Sequence, residues 1–324
     1  MSELIPPFDW QRVVVDPWTT DLPVFGWIML MGFLVGAACG LVGNYLVLRR
    51  LALMGDAVSH SVLPGLVIAF LLSQSRGTAA MFAGALAAGL FATALIEFIH
   101  RSSRVKPDAA MGIAFSTLFA FGVFLTSVFT AQVDLDAECV LFGEIAFVPL
   151  APTSSVAGIA LGPIPVVRMA AVLAGVGALV VLFYKELLVT SFDSGLARSV
   201  GLNPTWTHFG LMAVLSVVVV SAFEAVGAIL VIAMLVLPGA TALLLTDRLP
   251  WMHLLAVAHA ALSAVLGTHL GIWLECSLGA AMVVAGSGLF ALAWVAAPRE
   301  GLVARWRRGR AVRADARADD GRRA

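Results

Sequence analysis

Residues 23–50 read PVFGWIMLMGFLVGAACGLVGNYLVLRR. From Pro23 to Leu48 no side chain is charged, and Arg49 and Arg50 close the run. A helix needs roughly 20 mainly apolar residues to cross a hydrocarbon core of about 30 Å, so this stretch predicts a transmembrane helix whose basic end stops at one surface. Carried outward along the chain, the same test finds nine windows, about 23–48, 55–73, 77–99, 110–130, 166–187, 207–223, 226–246, 252–272 and 277–297. A shorter apolar segment, Val140 to Val148, follows the fourth window and reads as re-entrant or interfacial. Windows six and seven are separated almost solely by Glu224 and Ala225, so the count is eight or nine. The fold class expected is all-α, a polytopic transmembrane helix bundle.

Composition agrees. Of 324 residues 60% are apolar and 12% charged, against a soluble norm near 25% charged. Three regions are expected: an extracytoplasmic N-terminal segment 1–22, a transmembrane domain 23–298, and an Arg-rich cytoplasmic tail 299–324. The formal net charge of zero gives no reason to expect a nucleic-acid partner. Cys39, Cys139 and Cys276 have no metal or disulfide spacing. The first twenty residues, with Glu3, Asp9 and Asp16, do not resemble a cleaved signal peptide, and the N-terminus is expected to be retained. No GxxxxGK[ST], HExxH or GxSxG occurs, and the only lysines are Lys106 and Lys185, so the chain is not expected to hydrolyse ATP or act as an enzyme.

Basic residues gather after alternate windows: Arg49-Arg50, then Arg101, Arg104 and Lys106, then Lys185 and Arg198, then Arg248, then the tail. The intervening connections carry Arg76 alone, then Asp134, Asp136 and Glu138, then Glu224, then Glu275. Because basic span ends stay cytoplasmic, the C-terminus is expected inside and, with nine spans, the N-terminus outside. Gly32, Gly36 and Gly40 form a small-residue stripe read as ordinary close helix packing.

The second window carries the chemistry. In LRRLALMGDAVSHSVLPG (48–65), Asp56 and His60 are four residues apart and so share a helix face. If Arg50 marks the surface, a rise of about 1.5 Å per residue puts Asp56 roughly 9 Å and His60 roughly 15 Å deep. A carboxylate with an imidazole suits Mn(II), Fe(II) or Zn(II) better than Ca(II) or Cu(I). The competing reading is an internal hydrogen-bonded pair that only holds helices together. Pro64-Gly65 and Pro238-Gly239 each interrupt a long apolar run and are candidate kinks or gates, with a kink absorbed by packing as the alternative. His259 is more readily a hydrogen-bonded helix contact than a ligand. His269, Glu224 and Glu275 are read as loop charge in preference to an entry funnel, and Glu97 with His100 as local ion pairing.

Between Lys185 and Pro204 the chain has its own helical pattern. Asp193 or Ser194 can cap it, Phe192, Leu196 and Val200 recur every fourth residue, and Gly201 and Pro204 end it. Such an amphipathic helix can lie on the membrane or dock on a soluble partner.

Three stretches together, GDAVSHSVLPG (55–65), KELLVTSFDSGLARSVGL (185–202) and VGAILVIAMLVLPGATALLLTDRL (226–249), resemble the membrane permease subunit of metal-type ABC importers, the zinc/manganese/iron permease family. The likeness covers almost the whole chain in order. It implies a second permease copy, a cytoplasmic ABC ATPase, an extracytoplasmic metal-binding protein and surrounding lipid as partners. It also implies a bacterial plasma (inner) membrane location. The divalent cation would be transported substrate, with no permanently bound cofactor. Asp56 and His60 occupy the family's cation-pathway positions, and the ATPase-coupling helix maps onto Phe192, Asp193, Leu196, Ala197, Val200 and Gly201. LLTDRL resembles the manganese/iron branch, whereas Gly239 stands where the family often has Ala. A proton-driven transporter using Asp56 and His60 as a relay is the alternative function, and a membrane enzyme or anchor a third.

Overall fold

The structure, a computed structural model, describes residues 6–74, 78–129, 145–156, 159–298, 301–304 and 306. Eleven helices appear among them: α1 (Leu22–Leu48), α2 (Met54–Ser61), α3 (Leu63–Ser73), α4 (Thr78–Ser102), α5 (Pro107–Phe129), α6 (Ile164–Leu182), α7 (Tyr184–Phe192), α8 (Ser194–Ser199), α9 (Pro204–Leu245), α10 (Leu249–Leu274) and α11 (Leu278–Ala296). Two helical turns precede α1 and one covers Ile145–Leu150, while β1 (Thr153–Val156) and β2 (Ile159–Pro163) pair antiparallel. This hairpin was not expected. Gly162, at φ +111°, lies against the Trp27 indole, so the hairpin sits at the N-terminal end of α1. Arg76, Asp134, Asp136, Glu138, Cys139, residues 140–144 of the short apolar segment and almost all of the tail fall outside the described residues.

Eight helical segments among the described residues are long and apolar enough to cross a membrane. The ambiguity of windows six and seven resolves into one 42-residue element, α9, with a non-helical residue at Gly227 (φ 76°, ψ 167°). Neighbours show that its arms run in opposite directions. Leu211 and Val214 share a cavity wall with Val42 and Tyr45 near the C-terminal end of α1. Val226 and Leu230 lie beside Gly279 at the start of α11. Leu235 and Pro238 then return to Gly43 and Gly40 of α1. The arm that follows Gly227 and ends at Leu245 is therefore a ninth pass; at about 1.5 Å per residue it spans roughly 27 Å.

The apolar run is not broken at Pro238-Gly239. The helix runs through both residues, and its break is at Gly227, whose dihedrals are open essentially to glycine only. Pro238 packs on Gly40, and Gly239 lets the arm approach the backbone of Gly43 and Asn44. A Cβ on Gly43 would fall on the Leu235 carbonyl. The small-residue stripe does pack helices: Gly32, Gly36 and Gly40 face Ala264, Ala260 and Ala256 of antiparallel α10, with Met282 of α11 also on Gly32. The central core is built on these contacts, with Met31, Val35, Tyr45, Met212, Leu215, Leu230 and Leu235 all buried.

Candidate functional site

Asp56 lies in the first turn of α2 and His60 in its last. His60 Nε2 stands 3.2 Å from Asp56 Oδ1, so the four-residue spacing does bring the two together. Helix α2 ends immediately afterwards at Val62, so the second window is two helices rather than one. Pro64 supplies the reason: it has no N–H for the His60 carbonyl, and its ring crowds that carbonyl. Gly65 does something else. It meets Gly84 of α4 backbone to backbone, while Gly122 of α5 sits against Leu63 and Pro64. The break is therefore clamped by two helices.

The His60 ring is boxed by α5, with ring centroids 5.9 Å from Phe115 and, edge to face, 5.8 Å from Phe119. The remaining sides are open: 30% of the His60 side chain and 35% of Asp56 are accessible on the surface of the single chain. Among the described residues no third His, Cys, Asp or Glu completes a metal cluster. The pair offers one carboxylate oxygen and one imidazole nitrogen, enough to hold a borderline cation weakly while leaving its other coordination positions free.

The second site is α7, α8 and the turns around them. Asp193, extended at φ −147°, caps α8 by accepting the N–H groups of Gly195 (2.8 Å) and Leu196 (3.0 Å). At the other end Leu202 N–H reaches the Ala197 carbonyl at 2.9 Å and Gly201 N–H the Arg198 carbonyl at 3.1 Å, with Gly201 at φ +88°. This is the glycine-stopped helix end the sequence predicted. Asn203 Oδ1 then accepts the Thr205 N–H (3.0 Å) and caps the start of α9. The helix itself is only six residues, so Phe192 and Val200 flank it. Phe192, Leu196 and Val200 are exposed and Ala197 is buried, leaving an apolar knob on the surface.

Contacts with no local signal in the sequence tie this end of the bundle together. Arg49 Nε donates to Ser191 Oγ (3.0 Å) and Arg49 Nη2 to Thr190 Oγ1 (2.9 Å). Glu97 pairs with Arg101 and also stands 3.4 Å from His208 Nε2 at the start of α9, whereas His100 bonds the Val105 carbonyl. Asn44 Nδ2 donates to His253 Nδ1 (3.0 Å), which leaves the proton on Nε2 to meet Tyr45 Oη at 3.2 Å. The ends of α1 and α4 and the starts of α9 and α10 thus meet at one basic end of the bundle. Arg49 had served only as a marker of that end; its reach to hydroxyls 141 and 142 residues away has no local signal.

The opposite end holds a clasp. His269 Nδ1 donates to the Val13 carbonyl (2.7 Å) and its Nε2 accepts from Trp18 Nε1 (3.1 Å). Trp273 Nε1 bonds the Pro6 carbonyl (3.1 Å), and Arg12 pairs with Glu275 at 2.8 Å. His269 and Glu275 are therefore neither funnel nor free loop charge: they anchor the N-terminal segment. The Glu224 side chain falls outside the described residues. His259 is buried and neither ring nitrogen has a hydrogen-bond partner among the described residues, contrary to the helix-contact hydrogen bond expected for it.

A family model described as the ABC 3 transport family matches residues 22–297. The chain belongs to that family. Among ABC 3 relatives, the manganese transport system membrane protein MntD of Bacillus subtilis is 43% identical over 277 residues, covering 86% of this chain and 93% of that protein. The zinc transport system membrane protein TroD of Treponema pallidum is 40% identical over 89% of this chain and 78% of its own length. Among solved structures, PsaBC from Streptococcus pneumoniae in complex with Fab superposes with TM-score 0.72 at 31% identity, covering 90% of this chain and 98% of that one. The resemblance drawn from three stretches is thereby established, and with it the reading of the chain as a multi-pass permease subunit rather than an enzyme.

Proposed function

We propose that this permease moves a divalent transition-metal cation, manganese, iron or zinc, into a bacterial cytoplasm across the inner membrane, driven by ATP hydrolysis on a separate subunit. The observation that carries this is the Asp56–His60 pair, 3.2 Å apart and one-third open on the side of an apolar bundle. The surface around it includes exposed Leu53, Ile68 and Phe119. An ionisable pair facing lipid at that depth is costly, and a cation pathway removes the conflict. A second permease copy laid on this face turns the half-site into a pore, supplying further ligands or water. Two protein ligands per copy bind loosely enough to release, as transport requires.

The basic end is the cytoplasmic one, which puts the C-terminus inside and the clasped N-terminus outside. There the exposed Phe192, Leu196 and Val200 fit a groove on an ABC ATPase, docking as a short helix does. An extracytoplasmic metal-binding protein delivers the ion at the opposite end, and Pro64 and Gly65 hold the bend beside the pathway. The deciding experiment is metal uptake by the complex reconstituted with its ATPase, using competing Mn(II), Fe(II) and Zn(II). Asp56→Ala and His60→Ala abolish uptake while the complex still assembles. Full uptake in both variants, or uncoupler-sensitive transport by this chain without ATPase, would replace this reading.

A further inference from the structure

Arg49 joins two parts of the molecule that transport has to connect. It caps the C-terminal end of α1: Arg49 N–H bonds the Tyr45 carbonyl at 3.0 Å, and the chain then reverses through Arg50 at φ 59°. That reversal is fully bonded, Arg50 N–H to the Val47 carbonyl at 3.1 Å and Leu51 N–H to Leu46 at 2.8 Å. Met54 N–H then bonds Leu51 at 3.0 Å and Ala57 N–H bonds Leu53 at 3.0 Å, so a short, largely hydrogen-bonded turn links Arg49 to the helix that carries Asp56.

The side chain goes the other way. Its two nitrogens hold Thr190 and Ser191 in the last turn of α7, directly before Phe192 and the Asp193 cap. Each hydroxyl gives its own hydrogen back to the helix, Thr190 Oγ1 to the Glu186 carbonyl (2.7 Å) and Ser191 Oγ to Leu187 (2.6 Å). Their lone pairs are therefore committed to the guanidinium in a fixed fork. Burial draws the Arg49 group partly out of water and lowers its pKa, so breaking these bonds leaves an under-solvated cation.

We propose that Arg49 is a positioning residue, a strut that carries displacement of the ATPase-facing turn at Phe192 and Leu196 to the helix bearing Asp56. This rests on the permease reading above. The strut binds neither metal nor ATPase; it sets how much transport each ATP yields. A rigid element with bonded contacts at both ends is what such transmission needs.

The test uses the full complex, chain plus ATPase, reconstituted in vesicles, and reads metal uptake and ATP hydrolysis side by side. Arg49→Ala, which removes both charge-assisted bonds, lowers uptake per ATP hydrolysed by at least about tenfold. Thr190→Val with Ser191→Ala reproduces the loss from the other end, and combining it with Arg49→Ala adds little, because both remove one connection. Arg49→Lys recovers part of the ratio, since an ammonium reaches one hydroxyl but not both in the fork geometry. An unchanged uptake-to-hydrolysis ratio in Arg49→Ala and in the Thr190/Ser191 variant overturns the strut. So does loss of the ATPase from the purified Arg49→Ala complex, which would make the residue part of docking. Asp56→Asn, run alongside, addresses the metal site: full uptake there refutes that reading, while the ratio in the Arg49 variants still decides the strut.

Discussion

Alanine at Gly43 and alanine at Gly177 are the same chemical change in the same kind of helix, and the structure predicts opposite outcomes. In a helix interior the methyl normally helps, by about 0.5–1 kcal/mol, because it limits the unfolded backbone. At Gly177 in α6 nothing lies within 4 Å of the new Cβ, so that gain should appear in full. At Gly43 the new Cβ lands on the Leu235 carbonyl oxygen, a backbone atom that cannot rotate away. A Cβ built on Gly239 would stand 3.2 Å from the Gly43 carbonyl carbon, so the two backbones already pass close and leave little room to absorb the methyl. The arm Leu230–Leu245 has to move outward, loosening Leu230, Met234 and Leu235, all buried. Overpacking of this kind costs about 1–3 kcal/mol, which exceeds the intrinsic gain. Thermal denaturation of the two purified variants in one detergent, followed by loss of the monodisperse peak, should rank Gly177→Ala at or above the parent and Gly43→Ala clearly below. Equal stability would refute the placement of the ninth pass against α1.

Other changes probe other parts. Gly227→Ala forces a side chain into dihedrals that cost about 1–3 kcal/mol, and should reduce the yield of folded protein more than Ala at Gly210, where nothing lies within 4 Å. Asp193→Ala removes the acceptor of two N–H groups; a loss of about 1 kcal/mol is expected for the α8 cap, read as weaker co-purification of the ATPase. His269→Ala breaks the bonds to Val13 and Trp18 at about 1–3 kcal/mol for groups left unpaired, and limited proteolysis should then cut before α1 while sparing the bundle. Glu97→Ala leaves Arg101 and His208 without their shared carboxylate, and hydrogen exchange at the start of α9 should rise.

Apolar length, basic clustering and the Asp56–His60 spacing were readable because each is local. Windows reflect composition over twenty residues, and a four-residue repeat needs only helix geometry. The same locality explains the errors. Proline and glycine side by side at 238–239 look like a break, yet whether a helix is interrupted depends on what packs there, and the arm stays helical through both residues where it lies on α1. Gly227, with no proline beside it, carries the turn because Val226 and Leu230 have to end beside Gly279. His269 and Glu275 looked solvated for the same reason: their partners, Val13, Trp18 and Arg12, are more than 250 residues earlier in the chain. Polar residues such as Asn44, Tyr45 and His253 bond one another across two helices, which no window along a single one reveals.

The reversal at Gly227 also bears on how the protein is made. The arm from 228 to 245 lies at the short end of what a bilayer span needs, and its packing surfaces come from α1, synthesised long before it, and from α10 and α11, synthesised after it. The arm therefore enters the membrane most readily as half of a hairpin with Pro204–Phe223, held by its longer sister until translation delivers the remaining helices. Chains stalled after Leu245 should carry this hairpin only loosely anchored, exposed to the quality-control proteases that patrol unfinished membrane proteins.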